Sequence, residues 1–215
     1  MHLPKRKSWT IPVAFVIALT AASPSHAADE LDCYSEDLDK RIAACTSIIE
    51  RQALADTALS AAFASRALAY SQKRQYDRAV ADYDRALAIT PNAPSALNNR
   101  AWAYFKWGRP AMGRDDVEKS LRLDPRSGPA YDTRAHIAQA LGDPASALAD
   151  YNLAMDVGGE HMTLLYQCGL SDQGLYRGPR DGKPNAELRA AMSICVENPR
   201  CDPLPADEFC RPAAS

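Results

Sequence analysis

From residue 60 onward, the apolar positions of the chain follow a pattern that repeats every 34 residues without a gap. Large side chains recur at positions 4 and 24 of each unit and at position 11 of the first two units, and small side chains recur at positions 8, 20 and 27. Residues three and four apart share one face of a helix, so this spacing predicts two short amphipathic helices per unit. The units are predicted at 60–93, 94–127 and 128–159.

Glycine and proline residues stand where the predicted helices should begin and end. Gly108 and Gly142 fall between the two helices of the second and third units, where a positive φ is often needed. A proline follows each of them two residues later, at the first position of the next helix, where a missing N–H costs nothing. Pro91 and Pro125 close the first two units.

This order of large apolar, small, aromatic and closing proline positions resembles the tetratricopeptide repeat (TPR) family. The resemblance covers about half of the chain that follows residue 27. It implies an all-α superhelix of helix pairs that holds another protein in a concave groove and is not an enzyme. We therefore predict three full repeats, an N-terminal capping helix and a small disulfide-stapled helical module after the repeats.

An arginine replaces the family's usual apolar residue at position 7 of each unit, and an aspartate lies sixteen residues after it. Three such pairs in register predict an ion pair between the two helices of every unit. The alternative is a row of arginines that bind a ligand. The pairs are Arg66 with Asp82, Arg100 with Asp116, and Arg134 with Asp150.

The resemblance also implies which side chains line the concave groove. The candidate partner-binding residues are Asn98, Trp102, Phe105, Lys106, Asp132, His136 and Gln139. Trp102 is the best anchor for an extended peptide, because buried aromatic side chains dominate the energetics of many interfaces. The alternative for Trp102 is packing against the neighbouring unit. The family's clamp for a C-terminal carboxylate is absent, since Ala64 and Leu68 occupy its places in the first unit.

The N-terminal segment carries two predictions. Lys5, Arg6 and Lys7 precede an apolar run at 11–19 and a small-residue site ending at Ala27, which together indicate a secretory signal peptide. The alternative, a transmembrane anchor, is disfavoured because the run is short for a bilayer of ~30 Å. After cleavage, a region at 28–59 is predicted to contain an amphipathic helix at 35–52 that caps the array.

Export to the periplasm or beyond would place all six cysteines in an oxidising compartment, where disulfides are the default. Cys33 and Cys45 are predicted to pair and to pin the capping helix. For Cys168, Cys195, Cys201 and Cys210 we prefer the pairs 168–195 and 201–210, and two other pairings remain open. A zinc site is disfavoured because the spacings lack a paired C-x₂-C signature.

The region at 160–215 resembles a peptidoglycan-binding type of helical module. The residues that carry this resemblance are Gln167, Leu170, Gly174, Tyr176, Gly178, Asp181 and Gly182. Asn185 and Leu188 stand where that family has glycine and threonine, and Cys195 replaces an aromatic core residue. The resemblance implies association with the cell wall as an alternative function.

Charge and composition exclude several further classes. Signal cleavage would leave 22 basic against 27 acidic residues, an excess of negative charge that disfavours nucleic acid as the main partner. The two histidines beyond residue 27, His136 and His161, belong to no nucleophile–base or metal-binding motif. We therefore expect no catalytic residues, no metal and no cofactor, and a protein or peptide as the partner, with peptidoglycan as the alternative.

Overall fold

The protein was analysed as a computed structural model, which describes residues 31–51, 55–206 and 210. These residues form eight α-helices and no strand, which confirms the all-α prediction. The helices are α1 (Leu38–Arg51), α2 (Asp56–Gln72), α3 (Tyr76–Ile89), α4 (Pro94–Lys106), α5 (Pro110–Leu123), α6 (Gly128–Ala140), α7 (Pro144–Asp172) and α8 (Ala186–Val196). No helix in the described ranges is both long and apolar enough to cross a membrane.

Helices α2 to α7 form three helix pairs, each joined by a tight turn. Gly108 and Gly142 occupy these turns with φ values of 75° and 82°, a conformation that strains any residue with a Cβ. In the first pair Arg74 takes the same conformation, with φ of 60°. Pro110 and Pro144 begin the following helices, where their fixed φ suits the first turn.

Each helix pair is packed by one small and one large residue from the repeat pattern. Ala67, Ala101 and Ala135 at position 8 are fully buried, and so are Tyr83, Val117 and Tyr151 at position 24. The alanines let the helix backbones approach, and the large side chains fill the remaining space between them. Because the same small and large residues pack in three successive units, the helix pairs form a continuous array.

The second pair is packed more tightly than the others at position 20. Gly113 stands there, whereas the first and third units have the buried residues Ala79 and Ala147. A Cβ on Gly113 would lie 2.8 Å from the carbonyl oxygen of Ala101 and 3.0 Å from its Cα. The obstacle is the backbone of α4, which cannot rotate away as a side chain would.

We therefore predict that Gly113→Ala destabilises the protein by about 1–2 kcal/mol, despite the better helix propensity of alanine. The separation of α4 and α5 must increase to admit the methyl group. Urea unfolding of the variant beside Met112→Ala, an exposed position on the same helix, measures this effect. An unchanged or increased stability would show that the two helices are not in close contact here.

Helix α7 consists of two helical segments that meet at Gly159. This residue has φ of 62° and ψ of −145°, so the chain changes direction between the first segment and the second segment, 160–172. That segment packs with α8 in a C-terminal hairpin. Its core residues Leu165, Leu188 and Met192 belong to the same apolar cluster as Tyr151 of the third unit. The C-terminal hairpin therefore extends the core of the repeats.

Helix α1 packs against α2 at the other end of the array. Asp37 caps its first turn, because its carboxylate accepts hydrogen bonds from the backbone N–H groups of Asp39 and Lys40 at 3.0 and 3.1 Å. Cys33 forms a disulfide with Cys45, and both residues are buried. The predicted signal peptide at 1–27 lies outside the described residues, and the boundaries of the N-terminal region remain a prediction.

The preferred pairing of the four C-terminal cysteines was wrong. Cys168 pairs with Cys210, and Cys195 pairs with Cys201. The reason is a turn after α8, in which Asn198 N–H donates to the carbonyl of Cys195 and folds the chain back within six residues. This turn brings Cys201 to Cys195 and directs the rest of the tail across the segment 160–172, where Cys168 lies.

Candidate binding groove

The first helix of each pair lies on one face of the array, which the resemblance to the repeat family predicts to be concave. Helices α2, α4 and α6 lie side by side on this face, and the segment 160–172 continues it. In the extended 34-residue frame this segment places Leu165 at position 4 and Gly169 at position 8. We call the surface formed by these four helices the groove.

Aromatic rings gather in the middle of the groove, where α4 faces α6. The ring centroids of Trp102 and Phe105 are 5.1 Å apart, and both lie within 5.2 Å of the His136 ring centroid. The ammonium group of Lys106 lies 5.1 Å from the Trp102 ring, within range of a cation–π interaction. Trp102 is half-buried, so it packs against the third unit and still presents part of its surface to the groove.

His136 lies at the bottom of this cluster and is only 3% exposed. Its Nδ1 lies 2.8 Å from the backbone carbonyl of Asp132, and its Nε2 lies 3.0 Å from a carboxylate oxygen of Asp202. Both partners are acceptors, so both ring nitrogens donate, as in the imidazolium form. Burial lowers the pKa of His136, but the nearby carboxylates of Asp132 and Asp202 outweigh it and raise the pKa to about 9.

The chain's own C-terminal segment occupies the part of the groove that α6 lines. We call residues 201–206 the groove segment. The side-chain amide of Gln139 donates to the backbone carbonyl of Cys201 at 3.0 Å, and that of Gln173 donates to the carbonyl of Asp202 at 2.5 Å. Leu204 is 8% exposed and joins the apolar cluster of the C-terminal hairpin. The groove segment is therefore held by side chains of both α6 and the segment that follows Gly159.

The predicted groove residues thus divide into two groups. Asp132, His136 and Gln139 are engaged by the chain itself, since His136 binds Asp202 and Gln139 binds the tail carbonyls. Tyr166 donates to the Asp132 carboxylate at 2.7 Å. The other predicted residues lie on α4, beside the part of the groove that the groove segment leaves uncovered. They are Asn98, Trp102, Phe105 and Lys106.

One polar atom on α4 is buried beneath the uncovered part of the groove without a partner in the described part of the chain. Asn98 is 8% exposed, and its side-chain oxygen has no hydrogen-bond partner among the described residues. An unpaired buried acceptor costs roughly 1–3 kcal/mol. Leu68, on the neighbouring helix α2, is 36% exposed on the same side.

Sequence analysis did not identify Asp202, Tyr166 and Gly169 as residues of the groove. Asp202 lies in a tail without helical periodicity, so nothing in the sequence indicates that it contacts His136. Tyr166 and Gly169 had a detectable signal, because extending the 34-residue frame forward places them at positions 5 and 8 of a fourth unit.

The arginine–aspartate pairs lie between the helices of each unit. Arg100 donates from Nε and Nη2 to the two oxygens of Asp116 at 2.6 and 2.7 Å, and from Nη1 to Asp84 of the preceding unit at 2.6 Å. The hydrogen bond to Asp116 raises the pKa of Arg100. Arg66 and Arg134 make the same two-pronged contacts with Asp82 and Asp150 at 2.7 and 2.8 Å. Each arginine therefore joins the two helices of its own unit, and Arg100 also joins its unit to the preceding one.

The Asp181–Gly182 loop of the C-terminal hairpin is fixed from inside by Gln167. This buried side chain donates to Asp181 at 3.1 Å and to the carbonyl of Lys183 at 3.0 Å, and it accepts from Gly182 N–H at 2.8 Å. Hydrogen bonds from the Lys183 N–H and from Gln167 lower the pKa of Asp181. Asn185 caps α8 by accepting from Leu188 N–H at 2.8 Å. Gln167 therefore orders a loop whose other side faces solvent.

Comparison with known proteins identifies the repeats. Residues 66–130 match the tetratricopeptide repeat family. The chain is 29% identical over 84 residues to small glutamine-rich tetratricopeptide repeat-containing protein 2 of Mycosarcoma maydis, covering 39% of this chain and 24% of that protein. It is 23% identical over 146 residues to Hsp70-Hsp90 organizing protein 2 of Arabidopsis thaliana, covering 68% of this chain and 26% of that protein.

A third relative is RNA polymerase II-associated protein 3 of Xenopus laevis, which is 26% identical over 129 residues, covering 60% of this chain and 19% of that protein. The chain thus spans about a quarter or less of the curated relatives it matches here. Tetratricopeptide repeat proteins mediate protein–protein interactions. The residues that match the family, 66–130, lie within the helical array.

Proposed function

Because residues 66–130 are tetratricopeptide repeats, we propose that this protein is an exported adaptor that binds an extended segment of another protein in its groove. The observation that carries the proposal is the cluster on α4, where the Trp102 ring lies 5.1 Å from Phe105 and 5.1 Å from the ammonium group of Lys106, beside the uncovered part of the groove. Half-buried aromatic rings supply contact area at a low entropic cost. The arginines are bound to aspartates, which leaves this aromatic surface as the candidate contact.

The position of the partner can be tested by photocrosslinking. A photoreactive amino acid in place of Phe105 should crosslink to the partner, whereas the same residue in place of Trp107, at the turn after α4, should not. Equal crosslinking from both positions would place the contact outside the groove.

Affinity provides the stronger test. We predict that Trp102→Ala weakens binding of the crosslinked partner by at least roughly tenfold, as expected for an aromatic anchor. Trp107→Ala is the matched control, because it removes the same side chain from a position where the ring stacks on Arg109. Isothermal titration calorimetry of both variants would decide between them. An unchanged affinity of the Trp102 variant would assign this ring to packing between units.

Export is part of the proposal and rests on the sequence of residues 1–27. The disulfides support it, because Cys33, Cys45, Cys168, Cys195, Cys201 and Cys210 are all paired, and disulfides persist in oxidising compartments such as the periplasm. N-terminal sequencing of the protein from the periplasmic fraction should start at Ala28. A product that starts at residue 1 and stays with the membrane would favour the anchor.

Attachment to peptidoglycan is the second candidate function. It is supported by the ordered Asp181–Gly182 loop, whose solvent-facing side carries the exposed residues Arg177, Arg180 and Lys183. The oxidised protein should then sediment with purified sacculi, and an Arg180→Ala/Lys183→Ala variant should sediment less. Sedimentation of neither protein would leave the loop with a structural role and the groove as the site of function.

A further inference from the structure

The groove segment has the features of a bound peptide. We infer that residues 201–206 are an internal ligand that competes with the partner for the part of the groove lined by α6. We also infer that a partner segment entering there presents a carboxylate to His136, as Asp202 does. The inference rests on the proposed function, and it names both the chemistry of the partner and the element that the partner must displace.

The groove segment bends at residues 203–204, where the Leu204 N–H donates to the Asp202 carboxylate at 3.0 Å, and side chains of the groove hold its backbone. Two glutamine amides, from Gln139 and Gln173, donate to successive backbone carbonyls of the segment. Tyr151 donates to the side-chain oxygen of Gln139 at 3.0 Å, which fixes the orientation of this amide. Main-chain recognition of this kind accepts many sequences, so the discrimination must come from side chains.

The side chain that provides discrimination is Asp202. Its carboxylate lies 3.0 Å from His136 Nε2, and the positive charge of Lys106 also favours its ionised form. Burial raises the pKa of Asp202, but the hydrogen bond from His136 and the cationic charges outweigh it and lower the pKa. The groove therefore offers a cationic site inside an aromatic ring cluster, which suits a carboxylate from any chain placed there.

The wall opposite α6 is shaped for a backbone. A Cβ on Gly169 would collide with the carbonyl oxygen of Pro203 and would lie 2.5 Å from the carbonyl carbon of Leu204. No side chain larger than that of glycine leaves room for the groove segment at this point. Gly169 thus permits close approach of the Pro203–Leu204 backbone to the segment 160–172.

The groove segment is tethered close to the site at both ends. The Cys195–Cys201 disulfide precedes it, and the Cys168–Cys210 disulfide follows it. A short tether gives an internal ligand an effective concentration on the order of millimolar, so a free peptide cannot displace it easily. A protein partner has an advantage, because it can bind the uncovered part of the groove at the same time.

The test uses the full-length chain and a fluorescein-labelled peptide with the sequence of residues 200–206, in which serine replaces Cys201. In the Asp202→Ala/Leu204→Asn variant the internal segment loses its carboxylate and its buried apolar side chain, while every residue of the groove is retained. We expect the labelled peptide to bind this variant at least roughly tenfold more tightly than the unsubstituted protein. On the same background, Gly169→Ala or His136→Gln should remove this binding, and Asp172→Ala should not.

Nuclear magnetic resonance of the variant reports whether the internal segment has left the groove, and circular dichroism reports whether the helices remain. Equal peptide binding by the variant and the unsubstituted protein would overturn the inference, because the peptide would then bind elsewhere. An internal segment that stays in place despite both substitutions would also overturn it, since the segment would be part of the core. A released segment with no peptide binding would do the same.

These outcomes are separable from a failure of the proposed function. In one outcome, the partner crosslinks at Phe105 and binds with an affinity that Trp102→Ala reduces but that release of the groove segment leaves unchanged. That result would support the adaptor and refute the internal competitor. Peptide binding that depends on His136, without any partner crosslinked at Phe105, would refute the adaptor's use of the α4 surface and retain the internal ligand.

Discussion

The free energy of unfolding should decrease by about 3 kcal/mol as the pH rises from 6.5 to above 9, because the buried imidazolium of His136 loses its proton. Its pKa of about 9 in the folded protein exceeds the ordinary value of 6.5, so the folded state binds the proton more tightly than the unfolded state. The stabilisation is fully present below pH 6.5 and is lost as the pH passes through 9.

The groups that face His136 determine the range in which this effect can be measured. Asp132 and Asp202 carry the negative charges, and the lowered pKa of Asp202 keeps it ionised throughout the range. Burial raises the pKa values of Tyr151 and Tyr166 well above 10, so these phenols stay neutral in the folded state. Unfolded tyrosines begin to ionise near pH 10, so the measurement should end at about pH 9.5.

Urea unfolding at closely spaced pH values, for the unsubstituted protein and for His136→Gln, would measure the contribution. The variant should be less stable at pH 6 and should show a nearly flat profile between pH 6.5 and 9, because glutamine does not titrate. The two curves should converge at alkaline pH. Parallel curves with the same slope would assign the pH dependence to other groups.

The Asp116→Ala variant is expected to lose about 2–3 kcal/mol of stability. Its carboxylate is 13% exposed and accepts two hydrogen bonds from Arg100, which is itself 20% exposed. Removing the acid leaves a half-buried guanidinium with one remaining partner, the more exposed Asp84. Loss of one member of a fully buried pair costs roughly 3–5 kcal/mol, and partial exposure here reduces that figure.

Asp115→Ala is a matched control, because it removes the same charge from the neighbouring, exposed position of α5. We expect a change within about 0.5 kcal/mol for the control and a decrease in melting temperature of roughly 5–10 °C for Asp116→Ala. Equal behaviour of the two variants would show that the ion pair does not stabilise the fold. A well-packed apolar replacement of both Arg100 and Asp116 should recover most of the loss.

The local pattern of the chain was sufficient to predict the helical array. The three buried alanines at position 8 and the buried large residues at position 24 were assigned from spacing alone, because helix pairs in contact require the same sizes at the same places in every unit. The arginine–aspartate pairs could also be predicted from the sequence. Arg100 and Asp116 lie sixteen residues apart, a separation that a helix–turn–helix unit brings together each time it recurs.

The tertiary structure decided everything that depends on the path of the tail. The sequence predicted a Cys168–Cys195 pair, because these cysteines lie on the two helices of the C-terminal hairpin. It did not predict the turn at Asn198 that places Cys201 beside Cys195. The same turn carries Asp202 to His136, sixty-six residues away along the chain. Repetition determines contacts between neighbouring units, because each unit meets an equivalent surface. A segment without periodicity is positioned only by the particular side chains that it meets, so its place in the groove had to be seen in the folded chain.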